Sequence, residues 1–332
     1  MFGKTKLFLI IASMLCMASC DTIREDLPRC ELWLEFAFDY NMEYADAFNP
    51  QVKSVDVFVF GSDDKLLFSK RAEATALIGG NRMSLTNELD FGNYKVLTVG
   101  SLSDNFHALD NAGRELVPGT TTLRQLTVAL KRASDIVDFE FQHLYFSGVV
   151  EVDHLPSNTD HKVYRVNLIR NTNRFNIALM KYGEGQKNGT QYTFEIQAPE
   201  NAVYSWENEP TGQGPVHYVP HYTGQGETSD VFVSARLNTM RLFNRDGWDY
   251  QFIIKNADTG TKIWSYDLMK LLSIARPTSR HDGTELPFQE YLDRQSEWNL
   301  IFTVTEKSGG GEFIQIGLVV GTWIYWLHGI EI

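Results

Sequence analysis

The chain has 332 residues, a formal charge of −12 and an aromatic content of 13%. This acidic balance argues against nucleic acid as a partner and against an electrostatic grip on an anionic membrane. No collagen-like, coiled-coil or low-complexity stretch is present, and the abundance of Phe and Tyr favours strands.

Lys4 and Lys6 give a short positive start, Leu7 to Leu15 form an uncharged apolar core, and Met17-Ala18-Ser19 lead directly to Cys20. This is the layout of an export signal. The apolar core is shorter than the roughly 20 residues a bilayer requires, so a transmembrane helix is the weaker reading. Small residues immediately before a cysteine resemble a lipobox, the signal of bacterial lipoproteins, with Met17 standing where Leu is usual. In that class the cysteine thiol takes a diacylglycerol, the signal is cut before the cysteine, and the new amine is acylated. The resemblance makes residues 1–19 the signal peptide, Cys20 the lipidation site and 20–29 a lipidated tether. Several acyl chains, at about 0.8 kcal/mol per buried CH₂, would make the anchor effectively permanent. The competing reading is a simple signal in which Cys20 is coincidental. Of the three cysteines, Cys16 leaves with the signal, and Cys30 is expected to be a buried small hydrophobe. A Cys20–Cys30 disulfide is the alternative if Cys20 carries no lipid.

From Cys30 onward the pattern alternates. In "ELWLEFAFDY" the residues Leu32, Leu34 and Phe36 share one parity, as a half-buried strand requires. "SVDVFVF", the turn "GSDDK" and "KLLFSKR" predict a β-hairpin over 54–71. "RMSLTNELDFGNYKVLTVGSL" predicts two strands broken at Gly92-Asn93, and 103–122 has the composition of a loop. Further alternation follows in "DIVDFEFQHLYFSGVVEVDH" and "HKVYRVNLIR". The polar run Asn171-Thr172-Asn173-Arg174 reads as a hinge. Beyond it lie "QYTFEIQA", a Gly- and Pro-rich excursion over 199–230, "VFVSARLNTMRLF", "WDYQFIIKN" and "KIWSYDLMK". Residues 286–307 predict a short helix followed by a strand, and the C-terminus is apolar almost to its end. About 310 residues remain after the signal, enough for two domains of about 100–200 each. The expected fold is all-β: two tandem antiparallel β-sandwiches over 30–170 and 171–332.

The order of these pieces resembles the FimB-type fimbrial anchor lipoproteins, minor subunits of type V fimbriae in Gram-negative anaerobes. The matching pieces are Cys20 followed closely by "LPRC", "FDYNMEYADAF" at 38–48, "VKSVDVFVF", "LIRNTNRFNIAL" at 168–179, "FQEYLDRQSEWNLIF" at 288–302 and an Ile/Trp-rich final strand. The resemblance implies that both sandwiches are transthyretin-like. It implies a structural role, with the outer membrane held through the lipid on Cys20 and the major fimbrial subunit joined by β-strand donation, so that growth terminates. An extended peptide can add to a sheet edge, with backbone hydrogen bonds giving affinity and alternate side chains filling pockets. Thr322 to Ile332 is the candidate peptide, with Trp323, Tyr325 and Leu327 on one parity; an ordinary final strand is the alternative. Polymerising relatives are cut after an arginine near the N-terminus. Arg24 and Arg29 are the arginines available here, and an anchor is expected to keep Glu31 to Tyr40 in place.

Other signals are weaker. His217 and His221 are four apart, but Pro220 between them spoils helical alignment for a metal. Asp63 and Asp64 lack the ligand run of a calcium loop. No G-x-S-x-G elbow or acid/base pair points to catalysis, so no enzyme, cofactor or metal site is expected. Asn188-Gly189-Thr190 matches a glycosylation pattern but reads as a turn, and Asp21-Thr22-Ile23 resembles a short O-glycosylation signal. The alternative function is a surface binding module, an adhesin for glycans or host proteins, using an aromatic cluster of Trp206, Tyr218 and Tyr222.

Overall fold

The computed structural model describes residues 31–154, 161–181, 192–212, 214–224, 231–277, 283–306, 313–320 and 322–327. The signal peptide, Cys20, the tether with Asp21, Arg24 and Arg29, Cys30, Asn188-Gly189-Thr190 and 328–332 lie outside these residues.

The protein is a β-sandwich protein built from packed sheets. The first sheet has eight strands. Across it run Leu66–Glu73, Ser54–Phe60, Gly92–Gly100, Tyr145–Ser147, His161–Arg170, Glu31–Ala37 and Arg82–Ser84, with Val150–His154 on the side of Gly92–Gly100. The hairpin 54–73 closes through Gly61 N–H to Lys65 O (2.9 Å), with Asp64 left-handed at φ 62°. Asp63 and Asp64 pair with Lys65 (3.6 Å) and Lys95 (2.6 Å), so both act in a salt-bridged turn. The hairpin's outer strand alternates, and it sets Lys70, Arg71 and Glu73 along the sheet edge, where charge discourages pairing with another chain.

A six-stranded sheet follows: Tyr222–Gly224, Val231–Met240, Thr172–Lys181, Glu297–Glu306, Phe313–Val320 and Trp323–Trp326. A five-stranded sheet (Lys262–Asp267, Gln251–Asn256, Tyr192–Ala198, Val216–Tyr218, Ile136–Val137) and a three-stranded one (Val203–Ser205, Leu126–Leu130, Phe106–Asp110) complete the architecture. Most pairings are antiparallel. Glu31–Ala37 with His161–Arg170, Thr172–Lys181 with Glu297–Glu306, and Val216–Tyr218 with Ile136–Val137 are parallel. The expected short helix is Phe288–Arg294, and it leads into the strand Glu297–Glu306.

Three regions differ from the sequence reading. The 103–122 segment contains the strand Phe106–Asp110, which pairs with Leu126–Leu130. The 199–230 excursion is integral to the core: Ala202, Tyr204, Val216 and Tyr218 are all buried, and Val203–Ser205 pairs with Leu126–Leu130. The polar hinge is interior. Asn171 is the single residue between two strands and is fully buried, exchanging side-chain hydrogen bonds with Asn208. Asn173 donates to Met240 O and accepts from the Trp298 indole, each at 3.0 Å. Buried amides persist where every group finds a partner, and local polarity cannot distinguish such a case from a solvated linker.

Candidate functional site

The candidate docking elements are the first strand and the last. Glu31–Ala37 alternates with a period of two, so its even positions face inward. Leu32 and Leu34 are 0% exposed and Phe36 1%. The strand is flanked on both sides, by residues 161–167 and by 82–84. On its outer face Glu35 accepts from Arg82 at 2.6 Å, and Glu31 contacts His161 at 2.7 Å. Each buried apolar side chain contributes about 1.5–3 kcal/mol, so the strand is held firmly in its sheet.

Trp323–Trp326 forms the opposite case. It pairs antiparallel with Phe313–Val320, matching Leu318 with Tyr325 and Val319 with Ile324. Among the described residues it stands at the end of its sheet. Trp323 is 74% exposed, Tyr325 46% and Ile324 37%. A side chain at Gly317 would meet the Ile324 methyl at 2.6 Å, so that glycine makes room for the last strand. Of the three candidate donor residues, Trp323 and Tyr325 are exposed. Leu327 lies one residue past the strand and is buried, its N–H donating to Ile316 O at 3.0 Å. An uncharged edge with exposed aromatics invites another strand, in contrast to the charged edge at Leu66–Glu73.

The remaining sequence candidates resolve differently. His217 sits on a strand with Nδ1 2.7 Å from Glu195, and the Glu195 carboxylate also accepts from Lys255. Burial works to raise the Glu195 pKa, but the hydrogen bonds from Lys255 and His217 outweigh it and hold the carboxyl below its ordinary value. His221 belongs to a separate segment, its N–H donating to Arg236 O. Among the described residues, no group of three or more metal-capable side chains comes together. The aromatic cluster does not form an exposed platform. Tyr218 is 0% exposed and donates to Asn201 at 2.6 Å, and burial pushes its hydroxyl pKa well up. Trp206 packs against the core, and Tyr222 alone is exposed, beneath the Arg236 guanidinium at 5.3 Å. Two-residue periodicity could have signalled this, since "VHY" puts Val216 and Tyr218 on one face. No described helix is long and apolar enough to cross a membrane.

A family model for the fimbrillin-A associated anchor proteins Mfa1 and Mfa2 matches residues 27–329, and the chain belongs to this family. A candidate adhesin from Bacteroides ovatus is 77% identical, with a TM-score of 0.88 over 94% of this chain and 100% of that one. A candidate polysaccharide-binding protein from Bacteroides thetaiotaomicron is 28% identical, with a TM-score of 0.73 over 90% and 98% of the two chains. The fimbrial anchor protein Mfa2 from Porphyromonas gingivalis shares the fold at 17% identity, with a TM-score of 0.63 over 90% and 99%. No curated protein matches in sequence. The protein is thus of the fimbria-associated anchor class.

Proposed function

We propose that this protein is a structural fimbrial anchor: a lipoprotein held in the outer membrane through Cys20, facing outward, that joins a fimbrial shaft by strand pairing and ends its growth. The observation that carries this reading is the uncharged, aromatic strand Trp323–Trp326, which among the described residues pairs on one side only and exposes Trp323 and Tyr325. Glu31–Ala37, flanked on both sides with its inward residues buried, supports an anchor that retains its own first strand. The role is mechanical and involves no catalysis. Cys20→Ala in the native host tests the tether. Fibres released into the medium are the expected outcome, and fibres still held on the cells would remove the anchoring role.

The alternative of a surface adhesin draws on the 77% identical relative, itself a candidate adhesin. An adhesin needs an exposed recognition surface, and the burial of Tyr218 weakens the aromatic cluster on which that reading rested. Shed fibres with unchanged host-surface binding would favour the anchor over the adhesin.

A further inference from the structure

A cleft of about 290 Å³ opens where the first sheet meets the second, lined among others by Gln51, Lys53, His143, Arg170, Arg174 and Glu297. In a chain of net charge −12, this lining carries three Lys/Arg cations against one carboxylate. Arg170 is the unusual member. It ends one sheet strand, is 7% exposed, and makes no ion pair among the described residues. Its terminal nitrogens donate to two neutral acceptors, Ser296 Oγ and Gln51 Oε1, and its guanidinium lies over the Phe38 ring at 5.0 Å. Its Nε–H is buried and makes no hydrogen bond among the described residues, and neither does that of Arg174. Burial lowers the Arg170 pKa below its ordinary value.

A buried guanidinium with a spare donor and no anion is costly to hold. Glu297 offsets the charge only in part. Its carboxylate is half exposed, lies 3.7 Å from Arg174, and is shared with His143 at 3.2 Å. Lys53 gives one ammonium hydrogen to the Pro50 carbonyl at 3.2 Å, which leaves donors for a ligand. The volume falls at the lower end of small-molecule sites.

We propose that this cleft binds a small oxyanion, a phosphate or a carboxylate, gripped by Arg174 and Lys53 with Arg170 as the buried charge behind them. Guanidinium groups suit both anions because their planar donors match paired oxygens.

Isothermal titration calorimetry on the full chain tests this, with sodium phosphate and sodium glucuronate each titrated at an ionic strength fixed by sodium chloride. Saturable heat from at least one anion is expected, and the anion that gives it identifies the chemistry. Arg174→Gln removes a partly exposed donor and should weaken binding about tenfold or more. Lys53→Gln, at a surface position, is the second variant should the first fold poorly, and weakening in either supports the site. No saturable heat from either anion would overturn the proposal, as would unchanged affinity in both folded variants.

Discussion

Asp56 shows how one residue can make stability depend on pH. It sits on Ser54–Phe60 with its carboxylate 3.1 Å from Arg71 and only 14% of its side chain exposed. Burial raises its pKa to about 6, and the neighbouring Arg71 recovers only part of the loss. A raised carboxyl favours the protonated fold. Its stabilisation is therefore full below the unfolded value near 4 and is lost as pH rises through about 6. The loss is at most about 3 kcal/mol. Asp56→Asn keeps the neutral shape, so the gap between variant and native stability should move in the variant's favour from pH 4 to 7. Urea melts across that range measure it, and a gap independent of pH would mean that Asp56 titrates as an ordinary surface acid. At this scale the sequence was a poor guide. Nothing in "SVDVFVF" tells that Asp56 is crowded, and nothing in "RNTNR" tells that Asn171 finds Asn208, because both depend on partners distant in the chain.

Among the elements, the two terminal strands should respond in opposite ways to substitution. Leu34→Ala opens a hole under a strand that is flanked on both sides and is expected to cost about 2–5 kcal/mol. Tyr325→Lys, at an exposed edge, should shift stability by no more than about 0.5 kcal/mol. It would nevertheless place a charge on the edge and block strand addition. Denaturant midpoints separate the first effect, and recovery of fibres with the cells separates the second. A Tyr325→Lys protein that still caps and holds fibres would take this edge out of the proposed mechanism. Alternation made the inward residues Leu32, Leu34 and Phe36 legible in advance, since period two depends only on the strand itself. It could not show that Glu31–Ala37 lies parallel to His161–Arg170, because that register joins positions more than a hundred residues apart. The same limit hid the strand Phe106–Asp110, whose partner lies in a different run, and let Leu327 be grouped with Trp323 and Tyr325 although the strand ends at Trp326.

For the whole molecule, we propose 30–170 and 171–332 as two structural units that fold as one. Asn171 alone separates a strand of the first sheet from a strand of the second, which leaves no length for independent motion. The larger of two apolar cores runs from Phe58 and Leu97 through Leu126 and Tyr204 to Leu318 and Leu327, while the smaller, around Leu32, Leu34, Phe48 and Leu168, lies within 30–170. The three-stranded sheet draws Val203–Ser205 from one side of Asn171 and Leu126–Leu130 from the other. Val216–Tyr218 likewise pairs with Ile136–Val137. Arg294 reaches across as well, its guanidinium 4.1 Å from the Tyr40 ring and 4.4 Å from that of Tyr44. Two units that share a core lose it together, so calorimetry should give one transition whose calorimetric and van't Hoff enthalpies agree. Tyr204→Ala, by emptying a fully buried site in that shared layer, should cost about 3–5 kcal/mol and move the single transition without splitting it. Two resolved peaks in the native protein would mean that the cross-pairings are too weak to couple the halves. A single peak would suit a protein proposed to bear tension between a membrane and a fibre, because force applied at either end would then be opposed by the whole core.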